Sequence, residues 1–212
     1  MSSPRPTSPT PRRVPTQQRS QERLARIARA AGDVCAEVGA DAATMEAIAA
    51  RAETSIGSLY QFYPNKDALL HAVAERYATD LFALLDGGDP PGDVATLPLE
   101  ALVDAVLEPF VAFHQAHPGY FAILFAPQGS AALRVVRGRL RERLTRRAEQ
   151  LFEARAPELP VVKRRRLAIT SVESARALLQ YIVTGVPRGE QRAMREELRA
   201  MLVAYLEPWL DG

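Results

Sequence analysis

From Ser20 onward apolar residues return at three- and four-residue steps: Leu24, Ile27, Ala31, Val34 and Val38 fall on one side, with Arg23, Arg26, Arg29 and Glu37 on the other. That is the period of an amphipathic helix, predicted over about 20–38 and ended by Gly39. A short apolar run after Thr44, Met45–Ala50, predicts a second helix, because the threonine hydroxyl can cap it and Glu46 suits its positive end. A third lies between Ser55 and Tyr63 and is cut off by Pro64, which limits it to about two turns. Asn65 can cap a long helix over about 66–85, marked by Leu69, Val73, Tyr77, Leu81 and Leu84. The run Gly87-Gly88-Asp89-Pro90-Pro91-Gly92-Asp93 is a break. Beyond it, Leu102, Val106, Phe110 and Phe113 mark a helix of about 98–116 that ends at Pro118, and a short apolar piece, Tyr120–Phe125, follows. Three long helices are predicted after that. Leu133, Val136, Leu140, Leu144 and Leu151 mark about 130–155, and Ile169, Val172, Leu179, Ile182 and Val186 mark about 161–186. The last, about 189–210, carries Met194, Leu198, Met201, Leu202, Tyr205 and Trp209. No stretch has the period-2 alternation of a half-buried strand, so the pattern predicts an all-α fold of about nine helices.

The third helix is the informative one. With Leu59 at zero on a helical wheel, Tyr63 falls at about 40° and Phe62 at about 300°, so these three can anchor it to a core. Gly57 and Gln61 fall at about 160° and 200°, directly away, flanked by Tyr60 and Ser58. A helix this short is unstable alone in water and must be pinned through its apolar side. What it then displays is glycine, serine, tyrosine and glutamine. Glutamine pairs bidentately with adenine, hydroxyls donate to phosphate, and glycine permits close approach to a groove. A short helix, a tight turn and an outward polar helix make the helix-turn-helix arrangement, whose second helix enters the major groove of double-stranded DNA.

Composition sets the bounds. The 212 residues carry 27 Lys+Arg against 25 Asp+Glu, a net charge of +2, with 47% hydrophobic residues, so the bulk of the chain is globular rather than disordered. A single cysteine, Cys35, excludes an internal disulfide framework or a CxxC metal cluster and fits a reducing compartment; beside an apolar stripe it reads as a packed residue. No apolar run nears the roughly 20 residues of a membrane span. The start, MSSPRPTSPTPRR, has no apolar segment of the secretory kind. A cytoplasmic location is the expectation. Residues 1–20 hold Arg5, Arg12, Arg13 and Arg19 and no acid, with Pro4, Pro6, Pro9, Pro11 and Pro15, which reads as a solvated basic arm over 1–18. Two readings of the arm stand, contact with phosphate or an incidental tail.

Thr44-Met45-Glu46-Ala47-Ile48-Ala49, leading to Ser55-Ile56-Gly57-Ser58-Leu59-Tyr60-Gln61-Phe62-Tyr63-Pro64-Asn65-Lys66, resembles the N-terminal domain of TetR-family transcriptional regulators. The resemblance covers about residues 19–70, and its most specific part is Leu-Tyr-x-x-(aromatic)-Pro-x-Lys. It implies a homodimeric repressor with a DNA-binding domain over 19–66 and a helical ligand-binding and dimerisation domain over 67–212. It also implies that Thr44, Ser55, Ser58, Tyr60 and Lys66 contact phosphates and that Ile56, Gly57 and Gln61 face bases; with Thr54 these make the expected DNA-binding set. Lys66 at a helix start is electrostatically misplaced, and a phosphate partner would explain it. Two positions depart from the family pattern. Glu53 stands where the turn usually has glycine, and a residue with a side chain at positive φ costs roughly 1 kcal/mol. Ile56 stands where a basic residue is common, which exchanges a charge contact for an apolar one, such as a thymine methyl.

Other features compete for a role. His114 and His117, three apart with Glu108 upstream, could serve a helical enzyme or hold a metal, but two histidines without a convincing third ligand are a weak site, and no nucleophile motif or cofactor fingerprint accompanies them. No metal or other cofactor is therefore expected. The arginines of 134–147 and the run Lys163-Arg164-Arg165-Arg166 could serve an adaptor for an acidic partner, although Glu142, Glu149 and Glu153 nearby favour a solvated face. Phe110, Phe113, His114, Tyr120, Phe121, Phe125 and Tyr181 are the expected lining for a small, largely apolar effector, and the same residues would also build a plain core. Small residues on 161–186 (Ser171, Ser174, Ala175, Ala177) and Met194, Met201, Tyr205 and Trp209 on 189–210 suit a homodimer interface formed by these two helices.

Overall fold

The computed structural model describes residues 16–87 and 92–211, and among these it contains helices and loops but no strand. The helices are α1 (Thr16–Val38), α2 (Met45–Arg51), α3 (Ile56–Phe62), α4 (Lys66–Asp86), α5 (Leu99–Ala116), α6 (Tyr120–Leu124), α7 (Ala131–Arg155), α8 (Val161–Gly185) and α9 (Gln191–Leu210). The all-α expectation and its order of elements hold. The predicted arm over 1–18 falls outside the described residues as far as residue 15, and its last three positions belong to α1.

Side-chain caps set the starts of α2, α3 and α4. Thr44 Oγ1 accepts the Ala47 N–H at 3.1 Å, Ser55 Oγ accepts the Ser58 N–H at 3.1 Å, and Asn65 Oδ1 accepts the Ala68 N–H at 2.8 Å. Each satisfies one orphan donor and is worth about 1 kcal/mol. Between α2 and α3 the chain reverses through Glu53, which sits in the left-handed region at φ 51°. The expected glycine position is thus occupied at positive φ by a residue that tolerates it poorly.

The core is continuous from the small N-terminal helices into the larger bundle. Ile27, Ile48, Leu59 and Leu69 are fully enclosed at one end, and Leu81, Leu99, Leu124, Leu167, Ile182 and Leu198 at the other. Helix α4 joins the two, packing on α1, α6 and α7, while α8 packs between α7 and α9, and α5 lies on α9. Ion pairs brace these crossings. Arg139 reaches Glu75 of α4 at 2.5 Å, Arg143 pairs with Asp86 at the end of α4, and Arg199 of α9 meets Asp104 of α5 at 2.5 Å.

At one crossing the backbones themselves nearly touch. A Cβ added to Gly119, the N-cap of α6, would lie 2.5 Å from Gly32 Cα and 2.5 Å from its carbonyl oxygen in α1; one added to Gly32 would lie 2.4 Å from the Tyr77 hydroxyl. At Gly119, where the neighbours are backbone, only hydrogen fits, so α6 is seated directly on the first helix.

One member of an expected stripe, Ile169, is misplaced. On α8 the buried face runs through Arg164, Leu167, Ala168, Ser171, Leu179 and Ile182, whereas Ile169 is exposed. The helix is apolar on two sides, and periodicity alone does not say which side meets α7 and α9.

Candidate nucleic-acid interface and ligand cavity

Helix α3 is held by Leu59, which is wholly buried, with Phe62 and Tyr63 half-buried against the same core. Its opposite side is free. Tyr60 is 47% exposed, Gln61 and Ile56 are exposed, Ser58 is partly covered, and a Cβ on Gly57 would meet nothing within 4 Å. Thr44 and Ser55, exposed at the starts of α2 and α3, spend their oxygen lone pairs on caps but keep a hydroxyl proton for donation. Thr54, in the turn, is partly covered. The expected DNA-binding residues other than Lys66 therefore share one edge of the molecule with donors and apolar groups outward. Arg23 of α1 joins them, its guanidinium donating to Ser58 Oγ at 3.4 Å. Sequence reasoning placed Arg23 on a polar face but could not place that face beside α3.

Lys66 is tied to backbone in this structure. Its Nζ donates to the carbonyl oxygens of Ala40 (3.0 Å), Asp41 (2.9 Å) and Ala43 (2.9 Å). An ammonium has three protons, and all three are taken. These carbonyls of the α1–α2 loop offset a cation at the α4 start. Glu37 and Arg51 close the same region from outside with a bidentate pair at 2.8 and 2.9 Å, which holds the Glu37 carboxyl below its usual range. Cys35 lies fully buried beneath, and burial pushes its thiol up to about 11, so it stays protonated and packed.

The bundle encloses a cavity of about 570 Å³ between α4, α5, α6, α7, α8 and α9. Its wall is mainly aliphatic and aromatic, including Leu102, Val106, Phe110, Tyr120, Phe121, Leu144, Phe152 and Leu179, with His114, Ser171, Arg147 and Arg176 as the polar members. His114 is stacked among rings, 4.9 Å from Tyr120 and 4.5 Å from Phe121. Burial, with a smaller contribution from His117, lowers its pKa to about 4, so the imidazole is neutral at pH 7.

Of the seven residues expected to line a ligand site, Phe110, His114, Tyr120 and Phe121 line this cavity, and three do not. Phe113 is buried behind the wall, its ring 4.5 Å from His117. Phe125 lies at the far end of α6, capped by the guanidinium of Arg176 at 4.9 Å. Tyr181 is 57% exposed on the outer side of α8. Ser171 was expected among the small residues of a homodimer interface. It leaves open space instead, and nothing in a helical pattern separates these two uses of a small side chain.

The histidine pair does not gather a site. His117 lies 3.8 Å from Asp80 of α4 and against Tyr77, while Glu108 is exposed elsewhere on α5. Among the described residues no three His, Cys, Asp or Glu side chains converge on a point where a metal ion could sit. The arginines of α7 and α8 are largely engaged. Arg134 and Arg137 donate to the carbonyls of Gly129 and Leu124, Arg165 bridges Glu142 and Glu149 at 3.1 Å each, and Arg155 ties Val94, Leu97 and Asp211 together. No described helix is long and apolar enough to cross a membrane.

Comparison with known proteins agrees with this arrangement. Residues 24–73 match the family model of bacterial regulatory proteins of the tetR family, and residues 98–206 match the tetracyclin repressor-like C-terminal domain. Among solved structures, a TetR-family transcriptional regulator from Streptomyces coelicolor is 32% identical, with 88% of this chain and 98% of that one covered and a TM-score of 0.57. A TetR-like transcriptional regulator from Rhodococcus sp. RHA1 is 26% identical over 92% of this chain and 98% of that one, at a TM-score of 0.66. The fold is shared with SmeT in its complex with triclosan, 18% identical over 87% and 91% of the two chains, at a TM-score of 0.65. No curated protein sequence matches the chain. With a helix-turn-helix that presents an open α3 and both domains matched, the chain belongs to the TetR family of DNA-binding transcriptional regulators.

Proposed function

We propose that the protein is a homodimeric, cytoplasmic repressor that releases its DNA operator when a small, largely apolar effector enters the cavity, and that it has no catalytic role. The observation that carries this reading is the outward side of α3, pinned from behind by Leu59 and left uncommitted in front at Gly57, Tyr60 and Gln61. Seven of the eleven exposed large apolar side chains among the described residues lie on α8 and α9: Val161, Val162, Ile169, Tyr181, Met201, Tyr205 and Trp209. A surface of that kind supports pairing of two copies through these helices. Pairing also makes energetic sense, since one short helix buries little surface and two half-sites about 34–36 Å apart add their contributions.

The Gly32–Gly119 crossing supports a route between effector and DNA. Tyr120 and Phe121, the residues next to Gly119, line the cavity, so a ligand that displaces α6 pushes on α1 through backbone with no side chain to absorb the motion. An effector preferring the released state by 10² would supply about 2.7 kcal/mol of coupling. SmeT, a protein of the same fold, is held in a complex with triclosan, which supports a small-molecule effector here.

Sedimentation of the purified protein and mobility shift on the DNA upstream of its own gene test this reading together. A dimer that retards the fragment is expected. A monomer that leaves every upstream fragment unshifted at low ionic strength would overturn it.

A further inference from the structure

The wall of the cavity holds two polar atoms with nothing to bond. His114 Nδ1 and Ser171 Oγ are both buried and without a hydrogen-bond partner, and both residues line the same space; His114 is 6% exposed and Ser171 8%. Buried polar groups in native proteins are almost always paired, so two orphans on residues that line one apolar cavity point to an occupant that supplies the partner. They come from different helices, α5 and α8.

Resting on the effector reading above, we propose that this cavity takes an uncharged, mainly hydrocarbon molecule bearing a hydroxyl, phenolic or carbonyl oxygen that pairs with His114 Nδ1 and Ser171 Oγ. The polarity follows from the wall. Among the described residues no acidic side chain lines the cavity, so a cationic ligand would find no countercharge there. The two cations at the wall already have partners. Arg176 donates to Glu173 Oε2 at 2.9 Å and to Gln180 Oε1 at 3.2 Å and lies over the Phe125 ring, and Arg147 is engaged as well. A carboxylate would have to draw one of them away from its partners. The imidazole is neutral at physiological pH and the serine hydroxyl is both donor and acceptor, a pair that suits a neutral oxygen. The remaining wall, leucine, valine and phenylalanine, accepts hydrocarbon, and the volume admits a drug-sized molecule.

The test uses the full chain and a matched series of four probes, 4-butylphenol, butylbenzene, 4-butylbenzoate and 4-butylbenzylammonium, titrated by calorimetry. The phenol is expected to bind at least tenfold more tightly than each of the other three. In His114→Phe and in Ser171→Ala the advantage of the phenol over butylbenzene should fall below threefold, while butylbenzene itself binds within threefold of its affinity for the parent protein. Equal affinity for phenol and hydrocarbon in the parent protein would overturn the proposal, as would tighter binding of the benzoate or the ammonium; neither result depends on a variant folding. Persistence of the full advantage in both variants would also overturn it. Mobility shift on the same samples separates this from the repressor reading. Phenol bound with DNA retention unchanged would refute the effector's role and uphold the ligand class, whereas release of DNA by the benzoate alone would refute the class and uphold the role.

Discussion

His114→Phe, compared with the parent protein across mildly acid pH, measures what it costs to enclose an imidazole in the cavity wall. In the unfolded chain the histidine has its ordinary pKa near 6.5, while in the folded protein burial holds it to about 4. Below pH 6.5 the unfolded state therefore takes up a proton that the native state refuses, so stability falls as pH drops and rises again with increasing pH. The window runs from about pH 6.5 to about 4. A difference of this size amounts to about 3 kcal/mol over the whole window, and about 2 kcal/mol of it is lost between pH 7 and pH 5. His117, whose pKa burial also lowers, contributes with the same sign, and carboxylates begin to titrate at the acid end, but both remain in the variant and largely cancel in the comparison. Urea denaturation at pH 7, 6 and 5 provides the assay. The parent should lose about 2 kcal/mol more than His114→Phe between pH 7 and 5, or roughly 4–8 °C more in melting temperature. Parallel stability curves for the two proteins would refute the claim that this imidazole is sealed from water.

Four further substitutions probe other positions. Glu53→Gly removes a side chain held at φ 51° and should raise stability by about 0.5–1 kcal/mol; losing an acid beside the α3 edge should also tighten DNA binding at low salt, read by mobility shift. Lys66→Met deletes three hydrogen bonds to loop carbonyls and should cost about 1–3 kcal/mol in denaturation, with no change in the salt slope of DNA binding; a slope lowered by one unit would return the lysine to phosphate contact. Gly119→Ala places a methyl 2.5 Å from the α1 backbone and should destabilise by about 1–3 kcal/mol, whereas Gly138→Ala, with nothing within 4 Å, should be neutral or slightly stabilising.

The helical order was legible because each stripe is bounded by punctuation: Gly39, Pro64, the Gly87–Asp93 run, Pro118 and Pro160. The display on α3 was legible for a related reason, since a seven-residue helix has room for one buried side only, and Leu59 with two aromatics occupies it. Larger helices hid more. On α8 the apolar residues spread over two sides, so Ile169 was assigned inward and faces out, and Tyr181 was assigned to a cavity it does not reach. Ser171 could be a packing residue or a cavity wall, and only the placement of α5 opposite decides between them. The partners of Lys66 were not legible because they are carbonyls from residues 40–43, and backbone groups carry no signature in a sequence.

The central claim is that the outward side of α3 reads DNA. It is tested most directly by titrating the upstream DNA fragment with the parent protein, Gln61→Ala and Tyr60→Phe at several salt concentrations, with melting temperature measured alongside. The parent is predicted to bind with an affinity that falls steeply as salt rises, and Gln61→Ala to lose about 1–3 kcal/mol of sequence-specific affinity while melting as the parent does. Parent-like binding by Gln61→Ala and Tyr60→Phe alike, or a parent protein indifferent to every upstream fragment at low salt, would contradict it.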